Sequence, residues 1–215
     1  MEGLTSYDAD GNFTHWGWLN VREITMGLRQ TGLHENVDVQ VNPIGPDVAS
    51  IPRGHARIYL VHMHYVCVAN VSGCLVFFDP LNQPFETYAL PMPTPKTLRS
   101  VNMHVQPPSS SYCGNFVIFF LHVVYRTINP RCGAEKAISV VRSQLSQYLF
   151  TPPSPLQPNI MLIEHFSGQY KLGEEFFGAS YRKFTAYDRD LSHAACRKHL
   201  YQVEFYRPTG RRSKE

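Results

Sequence analysis

Apolar and polar residues alternate over residues 57–69 (RIYLVHMHYVCVA), which predicts a β-strand. Asn70 and Gly73 bound a segment typical of a type I turn. The segment 74–79 (CLVFFD), apolar up to its final Asp79, predicts the returning strand. Pro80 ends this strand because proline has no backbone N–H for the sheet. One face of the first strand is predicted to carry Ile58, Leu60, His62, His64, Val66 and Val68.

Helical periodicity predicts three helices. The first is Val21–Gln30, with Asn20 as its N-cap and Gly32 just past its end. The second covers residues 114–125, whose continuous apolar character indicates a buried core helix. The third covers residues 134–150, where apolar residues recur on one face.

The remaining segments are predicted to be short or irregular. Prolines divide residues 36–52 into short β-like pieces and make residues 84–95 a loop. A further strand is expected over residues 101–106, and TPPSPLQP at residues 151–158 reads as a linker. Strands and helices in this order predict an α+β fold.

The length of 215 residues is typical of one domain, residues 1–215, with a core of about residues 16–150. Residues 159–215 form a basic C-terminal extension of that domain. Residues 181–215 hold nine Lys or Arg against four Asp or Glu, although the whole chain carries only +3. Such a segment suits DNA or an acidic partner, and it equally suits a solvated tail.

Cysteine usage indicates a reducing intracellular compartment. The five cysteines are an odd number without a CxxC pair, and MEGLTSYDAD at the N-terminus is unlike a secretory signal. The longest apolar run, residues 116–125, is too short to span a bilayer, so no membrane partner is expected.

Cys113 is the candidate nucleophile. It stands between a turn-rich segment and the apolar helix, where unpaired N–H groups and the helix dipole favour a thiolate. Gly114 is expected to let a substrate backbone approach closely because it has no side chain. The alternative is an inert core cysteine at a helix start.

The hairpin supplies a candidate base and its orienting acid. His62 and His64 lie on one strand face, and Asp79 closes the partner strand, opposite about position 64 or 65. The alternative is that Asp79 caps its own turn beside two half-exposed histidines. Gln106, seven residues before Cys113, is expected to form an oxyanion hole with the Cys113 N–H, or else to be a surface glutamine.

Four short motifs in this order resemble two related protease families. GWLNVREITMGL at residues 17–28 looks like the helix start of the SUMO-type proteases, and FFDPL at residues 77–81 is similar to both families. TLRSVNMHVQPPSSSYCG at residues 97–114 and FLHVVY at residues 120–125 resemble the adenovirus maturation protease more closely. The resemblance covers roughly residues 16–126.

The resemblance implies a central mixed β-sheet packed by helices, with the nucleophile at the N-terminus of a buried helix. It implies Cys113 as nucleophile, Asp79 as the acid that orients the base, and Gln106 as oxyanion donor. His62 has the family's 17-residue spacing to Asp79, whereas His64 is followed by an aromatic residue, as in these families, at a spacing of 15. We expect His64 to be the base and keep His62 as its alternative.

The resemblance also implies a viral cysteine endopeptidase that cleaves virion precursor proteins after small residues such as Gly, in the host nucleus and the virion. The chemistry is expected to need no cofactor and no metal. Family members are activated by a disulfide-linked peptide and by DNA, but Pro95 stands where the peptide-linking cysteine would be. A deubiquitinase or SUMO-type isopeptidase, or a non-enzymatic nucleic-acid-binding virion protein, remains the alternative.

Overall fold

A computed structural model describes residue 17 and residues 19–41, 48–91, 98–106, 110–127, 132–146, 157–170 and 172. The α-helices in this part of the chain are α1 (Val21–Gln30), α2 (Cys113–His122), α3 (Ala134–Ser146) and α4 (Gln157–Gln169). The strands are β1 (Val37–Val41), β2 (Ala56–Val61), β3 (His64–Val71), β4 (Cys74–Phe78) and β5 (Leu98–Ser100). The basic segment, residues 181–215, and Pro95 lie outside the described residues.

The five strands form one sheet in the order β1-β2-β3-β4-β5. The two outer pairs, β1–β2 and β4–β5, are parallel, whereas β2–β3 and β3–β4 are antiparallel. Helix α2 packs across β3 on one face of this sheet. The predicted α+β class, with a central mixed sheet packed by helices, is therefore confirmed.

Helix α1 begins and ends where the sequence predicts. The Asn20 side chain accepts a hydrogen bond from the Glu23 N–H at 3.0 Å, and the Glu23 carboxylate accepts one from the Asn20 N–H at 2.7 Å. This reciprocal capping box satisfies two N–H groups that a helix start otherwise leaves unpaired. Gly32, at φ 71°, takes the left-handed conformation common just past a helix end.

The single strand predicted over residues 57–69 is wrong, because His62 and Met63 form a tight turn between β2 and β3. Both residues have positive φ, 50° and 62°. Val61 pairs with His64 across this turn, so His64 shares a face with Val61. The predicted grouping of His64 with Ile58 is therefore wrong, since the two-residue turn shifts the alternation.

The turn between β3 and β4 also differs from its prediction. Ser72 and Gly73 have φ of 56° and 93°, so the two central residues are left-handed and the turn is not type I. Primed turns of this kind follow the right-handed twist of antiparallel strands, which type I turns oppose. Asn70 still contributes, because its side-chain oxygen accepts the Gly73 N–H at 3.0 Å.

The strand predicted over residues 101–106 is wrong as well. Strand β5 ends at Ser100, and Asn102 at φ 51° breaks the extended conformation. The backbone N–H groups of Val105 and Gln106 instead donate to the Pro80 carbonyl, at 2.9 and 3.0 Å. Gln106 therefore lies on a loop tied to the turn that follows β4.

The helical core extends past residue 150. Helix α4 begins at Gln157, within the predicted linker, and Pro158 occupies its first turn, where proline is tolerated. Its residues Ile163 and Phe166 are buried in the same apolar cluster as α2. Helix α2 itself continues into a wider π-helical turn, Val123–Thr127. No described helix is both long and apolar enough to cross a bilayer.

Candidate active site

Three separate elements bring His64, Asp79 and Cys113 together. His64 is the first residue of β3, Asp79 directly follows β4, and Cys113 is the first residue of α2. The His64 ring is hydrogen-bonded to Asp79 and interacts with the Cys113 side chain. A sulfur, an imidazole and a carboxylate therefore lie in sequence at one end of the sheet.

Asp79 accepts four hydrogen bonds although its side chain is only 1% exposed. One oxygen, Oδ1, accepts from His64 Nε2 at 2.6 Å and from the Leu81 N–H at 2.9 Å. The other, Oδ2, accepts from the Gln83 N–H and from the Tyr88 hydroxyl, both at 2.7 Å. The turn-capping role and the histidine-binding role of Asp79 thus coexist on one carboxylate.

These contacts keep Asp79 ionised. Burial raises the pKa of Asp79, but the hydrogen bonds from His64, Tyr88 and Leu81 outweigh burial and leave the pKa below its ordinary value.

The expected position of Asp79, opposite residue 64 or 65, is corrected by the register. Cys67 pairs with Phe78, so the next step sets Asp79 opposite Val66, on the same strand face as His64 and diagonal to it.

His64 is held on two sides and is 14% exposed at its side chain. Its ring stacks on Tyr88, with 6.1 Å between the ring centroids and 22° between the planes. Burial lowers the pKa of His64, but hydrogen bonds with Asp79 and Cys113 and their charges raise the pKa to about 9. The imidazole is therefore protonated at neutral pH.

Cys113 lies within reach of this imidazolium. Because Asp79 occupies Nε2, Nδ1 is the His64 nitrogen left for the thiol. Cys113 is a free, partly exposed cysteine. Its backbone N–H belongs to the first turn of α2, where N–H groups have no acceptor within the helix. A thiol in this position, with an imidazole beside it, can act as a nucleophile.

His62 lies apart from this chain of contacts. It is exposed at the turn between β2 and β3, and the carboxylate of Asp79 bonds to His64 instead. The geometry therefore favours His64 over His62 as the residue that could serve as base. Among the described residues, no group of three or more His, Cys, Asp or Glu side chains could hold a metal ion.

Gln106 is buried, at 2% exposure, rather than lying on the surface. Its Nε2 donates to the Ser110 carbonyl at 2.8 Å, while its Oε1 has no partner within the described residues. An amide nitrogen carries two hydrogens, so one donor remains for another acceptor. Residues 107–109, between Gln106 and Ser110, lie outside the described residues.

The expected reason for Gly114 is wrong. A Cβ at this position would lie 2.7 Å from Ile24 Cδ1 and 3.3 Å from Tyr65 Cδ2, so the glycine lets α2 pack against α1 and β3. The close approach is made by the protein's own core rather than by a substrate. Gly114 is consequently a packing residue that fixes the position of the neighbouring Cys113.

Two positioning residues escape sequence reasoning. Tyr88 binds both members of the His64–Asp79 pair, yet it stands in a proline-rich segment that predicts only a loop. Asn159 is fully buried in α4, and its Nδ2 donates to the Val105 carbonyl at 2.9 Å, next to Gln106. No local pattern distinguishes either residue, since each acts through a contact distant in sequence.

Comparison with known proteins leaves the chain without an assigned family: no family model matches it, and no curated protein is significantly similar to it.

Proposed function

We propose that this protein is a cysteine endopeptidase with Cys113 as its nucleophile. The observation that carries the proposal is the 2.6 Å hydrogen bond between His64 and Asp79, on a histidine that also interacts with the Cys113 side chain at the start of α2. A carboxylate that accepts four hydrogen bonds and an imidazole between it and a thiol are the parts that thiol catalysis needs. On the resemblance of its motifs, the substrates are viral precursor proteins, and the fold is that of the adenovirus and SUMO-type proteases.

In the proposed reaction, Cys113 Sγ attacks the scissile carbonyl while His64 holds the thiol proton. The oxyanion of the tetrahedral intermediate accepts hydrogen bonds from Gln106 Nε2 and from the Cys113 N–H. The C–N bond then breaks, and His64 gives its proton to the leaving amine. Water, activated by the neutral His64, attacks the thioester and releases the acid, which restores Cys113.

The proposal is tested by the change Cys113→Ala. Peptide cleavage, assayed with and without double-stranded DNA, should fall by at least about 10³-fold, because the nucleophile is lost. Cys74→Ala and Cys132→Ala remove two other partly exposed cysteines and should leave the rate within about twofold. Mass spectrometry after brief iodoacetamide treatment should find Cys113 alkylated first. Unchanged cleavage by Cys113→Ala would remove the proposal.

A SUMO-type or ubiquitin-specific isopeptidase is the second candidate. The Trp-Leu-Asn motif at residues 18–20 favours it, because this motif looks like the helix start of the SUMO-type proteases. Ubiquitin and SUMO that carry a C-terminal electrophile should then form an adduct with Cys113. Cleavage of peptides without either adduct would reject this candidate and retain the endopeptidase.

A further inference from the structure

The turn formed by His62 and Met63 has a costly backbone conformation. A two-residue turn with both φ positive is favoured by Asn-Gly, because Asn tolerates the left-handed region and Gly has no Cβ. Met63, at φ 62°, has neither property. Met63 therefore occupies a backbone conformation that is unfavourable for methionine. Residues in such conformations often lie at functional sites.

The Met63 side chain is also unusually exposed. The part of the chain that the structure describes has two exposed large apolar side chains, and Met63, at 75%, is the more exposed of them. The other is Val41, at 50%, the last residue of β1. Val41 pairs with Leu60, so both exposed apolar side chains lie at the sheet end where His64 begins β3.

In the proposed reaction, the chemistry determines which part of a substrate lies nearest to His64. His64 must protonate the leaving amine, so the amine nitrogen lies at the His64 ring. The acyl part lies instead toward Cys113 and Gln106, where the oxyanion forms. The segment that follows the scissile bond therefore starts at His64, whose neighbour in the chain is Met63.

We propose, on the basis of the function proposed above, that Met63 recognises an apolar side chain in the first two residues after the scissile bond. The unbranched, polarisable thioether of methionine adapts to apolar groups of different shape. Leucine, isoleucine, methionine and phenylalanine are the side chains that fit such a contact. Met63 is then a specificity residue of the leaving-group side and takes no part in bond making or breaking.

The experiment varies only the leaving group. Two peptides share one acyl sequence ending in Gly-Gly and carry Leu or Gln directly after the scissile bond. A third substrate carries glycine amide there, which offers no side chain after the scissile bond. The wild type should prefer Leu over Gln by about tenfold in kcat/KM, the lower end of what one apolar contact contributes to selectivity.

Two variants keep the backbone of the turn but differ in polarity. Met63→Leu should retain the tenfold preference, whereas Met63→Gln, similar in length to methionine, should reduce the preference to within about twofold. Both should hydrolyse the glycine amide substrate as fast as the wild type, because it presents no side chain to Met63. Met63→Gly should raise the midpoint of thermal unfolding, because glycine suits the positive φ, and should lose the preference.

Three results would overturn the inference. An unchanged preference in Met63→Gln means that Met63 does not contact the leaving segment. An equal loss on the glycine amide substrate means that the side chain acts on the chemistry. A wild type that cleaves none of the substrates ends the proposed function and this inference with it, whereas the first two results leave the proposed function standing.

Discussion

Asp79 and Gln106 are both buried polar residues beside Pro80, but their hydrogen bonding differs. The carboxylate of Asp79 accepts four hydrogen bonds, from two side chains and two backbone N–H groups. The Nε2 of Gln106 donates one hydrogen bond, to the Ser110 carbonyl, and no other described residue accepts its second hydrogen. The Asp79 carboxylate is therefore fully hydrogen-bonded within the protein, whereas the Gln106 amide keeps one N–H that no described residue accepts.

The difference follows from what each side would do in the proposed reaction. The acid must hold His64 in one orientation before any substrate arrives, so its contacts are made within the protein. The oxyanion donor must bond to a charge that exists only in the transition state, so part of its capacity is open beforehand. Three substitutions test this contrast between a preassembled acid and an open donor.

The largest effect is expected from Asp79→Asn. Loss of the carboxylate removes the charge that raises the pKa of His64, so kcat/KM should fall by about 10³-fold. Deprotonation of His64 should set the alkaline limb of the wild-type pH profile near 9. Because the pKa of His64 drops without Asp79, this limb should move to lower pH in the variant.

Glu86→Gln is the matched control for that profile. Glu86 is an exposed carboxylate on the same short 3₁₀ turn, Phe85–Tyr88, that carries Tyr88. Its neutralisation should leave both kcat/KM and the alkaline limb unchanged. An alkaline limb that stays in place in Asp79→Asn would show that the contact with Asp79 does not govern the proton on His64.

A smaller effect is expected from Gln106→Ala. Removing one oxyanion donor should lower kcat by about 10²-fold with KM nearly unchanged, because the bond forms only in the transition state. Gln83→Ala is the control, since Gln83 contributes its backbone N–H to Asp79 and its side chain is exposed. Steady-state kinetics with a loss confined to KM would assign Gln106 to ground-state binding instead.

The smallest effect is expected from Tyr88→Phe, which removes one of the four donors to Asp79. Both Tyr88→Phe and Tyr125→Phe delete a hydroxyl bond of 2.7 Å, and they should lower the free energy of unfolding by about 2 and about 1 kcal/mol, since only the Tyr88 bond has a charged acceptor. Only Tyr88→Phe should also lower kcat/KM, by about threefold, because Tyr125 bonds to the His55 carbonyl. Equal activities would make Tyr88 purely structural.

Local sequence signals predicted the elements that carry the site. The capping residues of α1 and the apolar run of α2 agree with the structure because both depend on neighbours in the chain. The returning strand, predicted over residues 74–79, corresponds to β4, Cys74–Phe78, since an apolar run and Pro80 are local features. The catalytic roles assigned to Cys113, His64, Asp79 and Gln106 stay predictions.

Turn geometry and long-range contacts were not predictable in the same way. His62 and Met63 carry no turn signature, so the alternation over residues 57–69 appeared continuous although the chain reverses there. Tyr88 and Asn159 reach the site only after the chain has folded back over it. Such contacts are decided by tertiary packing, which local patterns do not encode.

The carbonyl of Pro80 has a practical consequence for inhibitor design. It directly follows Asp79, and it also accepts the backbone N–H groups of Val105 and Gln106. A compound that displaced this one peptide unit would disturb the orientation of His64 and the position of the Gln106 amide together. Inhibition of the proposed reaction would then require no warhead aimed at sulfur.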